Sequence, residues 1–247
     1  MQADLESKVL KSYKHKTTIQ TIADHADYAT LASAAYEPNK KNVSGWTRLY
    51  TMDYENERTG SNAATVYKSA ATGKLVVAFQ GTNEKLDVIT GFKLFGKRDT
   101  GQVDWAKNTA RAFVEKHGHN NVTFVGHSLG GRLARIARTE TGANAVVFDS
   151  APLSIKEMGG EIALTLGAKA HGTLTSFRGP GDVVSFASVK QDIEIKNFIP
   201  YAKSQSAQSL PMNIAELIAK KEHAHSIDSF AEAMQTVKGV NTLMKQY

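Results

Sequence analysis

Asn121-Val-Thr-Phe-Val-Gly-His-Ser-Leu-Gly-Gly131 carries an apolar strand, Asn121–Val125, directly into a serine flanked by glycines, and a helical pattern, Leu129–Thr139, begins at once. A G-x-S-x-G string between a strand and a helix is the setting of a nucleophile elbow, a tight turn that presents a serine hydroxyl at a sheet edge. Side chains beside Ser128 would collide in so close a turn, and glycine at 126 and 130 removes them. The amide of Leu129, in the first turn of the helix, is then expected to point to where negative charge develops in acyl transfer. The string by itself is short enough to arise by chance, so its weight comes from the strand before it and the helix after it.

Outward from the serine, strands and helices keep alternating. Ala143–Phe148 reads as a buried strand, and Lys74–Gln80, apolar on both faces, as a strand covered on both sides. Ala64–Ala70 precedes the latter across Thr72-Gly73 as a hairpin partner. Helices are predicted over Ile22–Tyr36, with Ile22, Tyr28, Leu31 and Ala35 on a buried side, and over Trp105–Lys116. They are stopped by Pro38 and Gly118 respectively, and the polar stretch from Pro38 to Asn62 reads as poor in strands. Leu174–Phe177 and Ile193–Phe198 are weaker strand candidates, followed by helical patterns over Asn213–Glu222 and Ser226–Lys245. Ile227, Phe230, Met234 and Val237 form a stripe on the last of these, read as core packing in preference to membrane insertion. Strand, helix and strand in repetition predict the α/β class, with a mostly parallel central sheet and helices on both faces.

Composition narrows the function classes. The 247 residues suit one domain spanning 1–247, and 41% hydrophobic with 22% charged residues exclude a disordered or fibrous chain. The longest apolar run, Leu75–Phe79, falls far short of the roughly 20 residues that cross a bilayer. The opening MQADLESKVLKSYKHK has no apolar stretch to act as a secretory signal, which predicts a chain that is cytoplasmic as synthesised. With no cysteine there is no disulfide framework, thiolate nucleophile or cysteine-bound zinc. His117-Gly-His119 and His223-Ala-His225 lack the helical His-Glu-x-x-His context of a zinc site, so no metal is expected. A net charge of +6 favours an anionic surface as partner, but the charges are mixed and no nucleic-acid motif is present, so nucleic acid is not expected.

A serine hydroxyl needs an adjacent base held by an acid. In α/β hydrolases these follow the serine in the order acid, then histidine. Asp149, at the end of the next strand, and Asp182, in the loop Arg178-Gly-Pro-Gly-Asp182, are the acids in suitable positions. Asp182 is favoured because an acid at a later strand end can reach a histidine near the C-terminus, whereas Asp149 before Ser150-Ala-Pro152 suits a backbone turn. His225, just before the helix cap Ser226, is the favoured base, and His223 remains an alternative. His127 must point away from its neighbour and is assigned to packing or support.

Taken together these motifs resemble the class-three lipase family, the fungal-lipase-like branch of the α/β-hydrolase fold, including its bacterial members. The resemblance covers roughly residues 22 to 235. It rests on Leu31-Ala-Ser-Ala-Ala-Tyr36, Val77-Ala-Phe-Gln-Gly-Thr82, Val103-Asp104-Trp105, the glycine-flanked serine, Asp182 and His225-Ser-Ile-Asp-Ser-Phe230. It implies a Ser128–His225–Asp182 triad, with the amides of Thr82 and Leu129 forming the oxyanion hole and no cofactor. Gln80 departs from the family's usual arginine, which removes an ion pair but leaves the Thr82 amide in place.

Residues 83–104 stand where family members carry a lid. In this stretch Val88, Ile89, Phe92, Leu94 and Phe95 are read as contacts for acyl chains or a bilayer surface, and Lys93, Lys97 and Arg98 as contacts for phosphate. A packed surface loop is the other reading. Arg132, Arg135 and Arg138 read as a solvated helix face in preference to a lipid site. The implied activity is lipolytic ester hydrolysis, with a phospholipase A1 acting peripherally on membranes favoured over a neutral acylglycerol lipase or carboxylesterase by the positive charge and the basic lid stretch. A non-catalytic binding module on the same scaffold is the rival from another class. Resemblance to bacterial members without a signal sequence adds export by a specialised secretion system as a membrane-toxic effector, with an inhibitor or immunity protein protecting the producer.

Overall fold

A computed structural model of the chain describes residues 19–37, 42–56, 60–81, 100–167, 171–178, 192–194 and 226–245. These fall into two compact units, residues 31–178 with 192–193 in one and residues 19–30, 194 and 226–245 in the other. In chain order the elements are α1 (19–34), β1 (Asn42–Val43), β2 (Trp46–Asn56), β3 (Gly60–Ser69), β4 (Leu75–Phe79), α2 (Thr100–His117), β5 (Val122–His127), α3 (Leu129–Thr141), β6 (Asn144–Phe148), α4 (Ile155–Leu166), β7 (Leu174–Arg178), β8 (Asp192–Glu194) and α5 (Ile227–Met244).

The strands lie side by side in sequence order in one mixed sheet, so the α/β class read from the sequence holds. β1 to β4 pair antiparallel through short connections, and β4 to β7 pair parallel. Parallel neighbours need a long crossover, and α2, α3 and α4 lie in the three crossovers. In register, Phe79 stands beside Gly126 and His127 beside Phe148, which stands beside Phe177, so β4 to β7 end together at one edge. Leu75, Val77 and Phe79 of β4 and Val122 and Phe124 of β5 pack with Ala106, Ala110 and Phe113 of α2 and Leu133, Ala134 and Ala137 of α3. The alternate residues Val76, Ala78 and Val125 are buried as well, which explains why these strands read as unbroken apolar runs.

Two elements depart from the sequence reading. The stretch described as poor in strands holds β2, an eleven-residue strand paired along its length with β3. Its polarity is that of an antiparallel strand with a wet side: Leu49 and Tyr50 are exposed around a bulge, and the Thr51 and Thr65 hydroxyls lie 3.2 Å apart across the pair. α4 had no counterpart in the sequence reading, because Gly159-Gly160 interrupts its helical pattern. It is nonetheless started by a capping box, in which Ser154 accepts from the Glu157 amide and the Glu157 carboxylate accepts from the Ser154 amide. Residues 100–104, placed in the lid stretch by sequence, form the first turn of α2.

The arginines of α3 also differ from expectation. Arg132, Arg135 and Arg138 are 9%, 4% and 3% exposed, so they form neither a solvated face nor a lipid site. Arg132 donates through Nε and Nη2 to Glu157 (3.1 and 2.8 Å), and Arg135 likewise to Glu161 (3.1 and 2.6 Å). Arg138 donates to the Gly172 carbonyl. Spacing by three on α3 thus meets spacing by four on α4, and the two forked ion pairs fix α4 against the helix that begins at Ser128.

Burial pushes the Glu157 carboxyl up, but hydrogen bonds from Arg132 and the Ser154 amide and the Arg132 charge pull it down further, and the net shift is downward. A lowered carboxylate contributes stability that is present above its unfolded pKa and is lost as pH falls through the folded one. Glu157→Gln is therefore expected to cost roughly 2 kcal/mol at neutral pH by leaving the Arg132 guanidinium without its counter-ion. Denaturant midpoints followed from pH 7 to pH 3 should show wild type and variant converging as the acid end is approached.

In the other unit, Ile227, Phe230, Met234 and Val237 are buried along one side of α5, the packing role read for this stripe. α5 is tied to residues 19–30 by Lys238 on Asp27 (2.6 Å) and by Gln235, which donates to Asp27 and Thr30 (both 3.0 Å). Among the described residues, no helix is long and apolar enough to cross a membrane.

Candidate active site

Ser128 sits between β5 and α3 with φ 57° and ψ −123°, a backbone conformation that costs an L-residue energy and persists only where the surroundings impose it. The surroundings do so from three sides. The Ser128 amide donates to the Phe148 carbonyl at the end of β6 (3.1 Å), while its carbonyl accepts from Ala151 beyond β6 (2.9 Å) and from Arg132 in α3 (3.2 Å). This is the strand–turn–helix geometry expected of the elbow.

The glycines beside Ser128 are required by contact. A Cβ at Gly126 would overlap the carbonyl of Gly130, and a Cβ at Gly130 would overlap the carbonyl of Phe79. α3 therefore starts against the end of β4 with nothing between them. Leu129, the first residue of α3, is buried, and amides of a first helical turn have no carbonyl partner within their own helix. The turn thus offers donors beside the serine at the positive end of a helix dipole.

Two further residues belong to this edge. At the end of β4 the Gly81 amide donates to the Tyr36 hydroxyl (2.9 Å), and that hydroxyl lies 3.3 Å from Nδ1 of His127. His127 is 6% exposed and packs edge-on against the Tyr36 ring, the supporting role read for it. The sequence shows Tyr36 and Gly81 only as parts of two separate motifs, with nothing to join them. The available signal was a glycine at a strand end just before the Thr82 amide.

Asp149 is fully buried with φ 40°, and its amide donates to the Phe177 carbonyl (2.9 Å), in keeping with the turn role read for it. β7 ends at Arg178 on the same edge as Ser128, with Phe177 stacked on Phe148 at 5.5 Å, and Asp182 follows four residues later. Asp182, His223, His225 and Thr82 lie outside the described residues, as do Val88, Ile89, Phe92, Leu94 and Phe95. Ser128 and Leu129 are the sequence-predicted site residues that the structure describes. Among the described residues no group of three histidines or carboxylates could hold a metal ion.

Residues 27–243 match the family described as Phospholipase-like: Tle-like phospholipase domain. The chain belongs to this family. Among solved structures, a triacylglycerol lipase from Penicillium expansum is similar to this Tle-like phospholipase domain at 16% identity and a TM-score of 0.48, over 71% of this chain and 77% of that one. No curated protein matches it. The lipase resemblance read from the motifs thus agrees with the family, and the Tle-like phospholipase domain is a lipolytic ester hydrolase built on a mixed α/β sheet.

Proposed function

We propose that this domain is a serine phospholipase A1 that attacks membrane phospholipids. The observation that carries this reading is the strained Ser128, held at the sheet edge by hydrogen bonds to Phe148, Ala151 and Arg132. Strain imposed on a single serine between two obligatory glycines has no packing purpose, whereas it presents a nucleophile.

In the proposed mechanism the Ser128 oxygen attacks the acyl carbonyl while His225 takes its proton, and Asp182 holds the imidazole in the required tautomer. The amides of Leu129 and Thr82 stabilise the oxyanion, each worth about 3 kcal/mol in the transition state. The C–O bond to the lysophospholipid then breaks and His225 returns the proton to the leaving oxygen. Water, deprotonated by His225, attacks the acyl-enzyme, and fatty acid and free Ser128 result. No metal or organic cofactor takes part.

Val88, Ile89, Phe92, Leu94 and Phe95 bind acyl chains or the membrane surface, with Lys93, Lys97 and Arg98 beside the phosphate. The net charge of +6 supports an anionic surface as substrate. A phospholipase of this kind would damage the cell that makes it, which supports a role as an exported effector acting on other membranes, with an immunity protein as partner in the producer.

Hydrolysis of phospholipids with different acyl chains at the two glycerol positions tests the reading. The expected products are the fatty acid from the first position and a lysophospholipid that keeps the second. Turnover of triglyceride without phospholipid would replace this reading with a neutral lipase, and no turnover of any ester with a binding module.

A further inference from the structure

Tyr36 presents a hydroxyl that joins the end of β4 to the elbow, and the serine-hydrolase reading above gives this link no role. Its oxygen accepts from the Gly81 amide at 2.9 Å, which leaves the hydroxyl hydrogen to be donated. His127 Nδ1, at 3.3 Å, accepts it when the imidazole is neutral with its proton on Nε2. The two residues so joined each precede a proposed functional group in the chain, Gly81 the Thr82 amide and His127 the Ser128 hydroxyl.

The space around this link leaves no slack. A Cβ at Gly81 would overlap the Tyr36 oxygen and stand 2.8 Å from the His127 carbonyl and 3.5 Å from the Gly130 amide. Gly81 therefore has to be glycine, and a glycine at a strand end has wide conformational freedom unless its peptide groups are held. Here the amide on one side of Gly81 is held by Tyr36. The peptide on its other side carries the Thr82 N–H.

We propose that Tyr36 is a positioning residue: by fixing the Gly81 amide against His127 it holds the end of β4 in place beside the elbow that presents Ser128 and the first amides of α3. This rests on the reading of Ser128 as nucleophile. An oxyanion exists only in the transition state and the tetrahedral intermediate, so a misplaced donor lowers kcat and leaves KM nearly unchanged.

Tyr36→Phe keeps the ring against His127 and removes only the oxygen. With 4-nitrophenyl butyrate as substrate, kcat is expected to fall ten- to a hundredfold, with KM within about twofold of wild type. Melting temperature should fall only by the several degrees that one orphaned buried amide costs, with near-ultraviolet circular dichroism unchanged, and fluorophosphonate labelling of Ser128 should slow in parallel with kcat. Loss expressed mainly in KM or in melting temperature would make the hydroxyl a structural or binding group and overturn the proposal. So would a kcat within twofold of wild type while Ser128→Ala is inactive, and in that case the serine reading would stand. Full activity in Ser128→Ala would remove the serine reading and the proposal with it.

Discussion

Alanine in place of Ser128 is expected to lower ester hydrolysis by about a millionfold while leaving the protein folded. Nucleophile, base and acid act as a unit, so removing the nucleophile forfeits nearly all of their joint contribution, and what remains comes from amides that still bind the substrate. Alanine keeps a Cβ in the same backbone conformation, φ 57° and ψ −123°, so it neither relieves nor adds strain. Glycine at this position should be equally inactive, yet more stable than alanine by about 1 kcal/mol, because it adopts a positive φ without penalty. Initial rates on a phospholipid dispersion together with denaturant unfolding of the three proteins check both parts. Equal stability of the alanine and glycine variants would mean that the turn stores no strain at Ser128.

A comparably large effect on folding is expected from Gly130→Ala. The added methyl would overlap the Phe79 carbonyl and stand 2.8 Å from the Phe79 carbonyl carbon and 2.9 Å from that of Gln80. All three are backbone atoms of the β4 end, where the strand leaves a sheet buried on both faces, and they cannot turn aside as a side chain could. Relief requires α3 to move off β4, opening the packing of Leu133, Ala134 and Ala137 against Val77, Phe79 and Phe124. The cost should exceed about 4 kcal/mol, a large part of the whole stability of a domain, so the variant is expected mainly in inclusion bodies or unfolded. The methyl of Gly131→Ala would stand 3.0 Å from the Ser150 Cβ, 3.1 Å from its Cα and 3.2 Å from the Gly126 carbonyl oxygen, close contacts without the overlap met at Gly130, and should cost about 1 to 2 kcal/mol. Soluble yield and melting temperature of the two variants separate these outcomes, and a Gly130→Ala protein as stable as wild type would show that the approach of α3 to β4 is not as close as described.

What the sequence revealed of this architecture followed the range of the interactions involved. The elbow was readable because its glycine signature is local, Gly126 to Gly131, even though the contact that makes Gly130 obligatory is with Phe79 of β4, far away in the chain. β4, β5 and β6 were readable because burial on both faces leaves continuous apolar runs. β2 was not, since an antiparallel strand with one wet side alternates in a way that a polar loop imitates. The inward-facing Arg132 and Arg135 were not readable from α3 at all. Their partners Glu157 and Glu161 stand about 25 residues away, on a helix interrupted by two glycines. The capping signal Ser154-x-x-Glu157 announced α4, and reading it would have identified the partners too. Tyr36 was visible as a motif, but its role depends on a hydroxyl reaching across to Gly81, a residue 45 positions later. The acid and base were chosen by chain order and resemblance, and Asp182 and His225 lie outside the described residues.

The central claim, that the hydroxyl at position 128 is an activated nucleophile, is tested most directly by treating the native protein with a fluorophosphonate and locating the adduct by peptide mass spectrometry. The account predicts stoichiometric phosphonylation confined to Ser128, with lipid hydrolysis lost in proportion to labelling. An unmodified Ser128 in a protein that still hydrolyses phospholipid, or an adduct on another residue that abolishes activity, would contradict it.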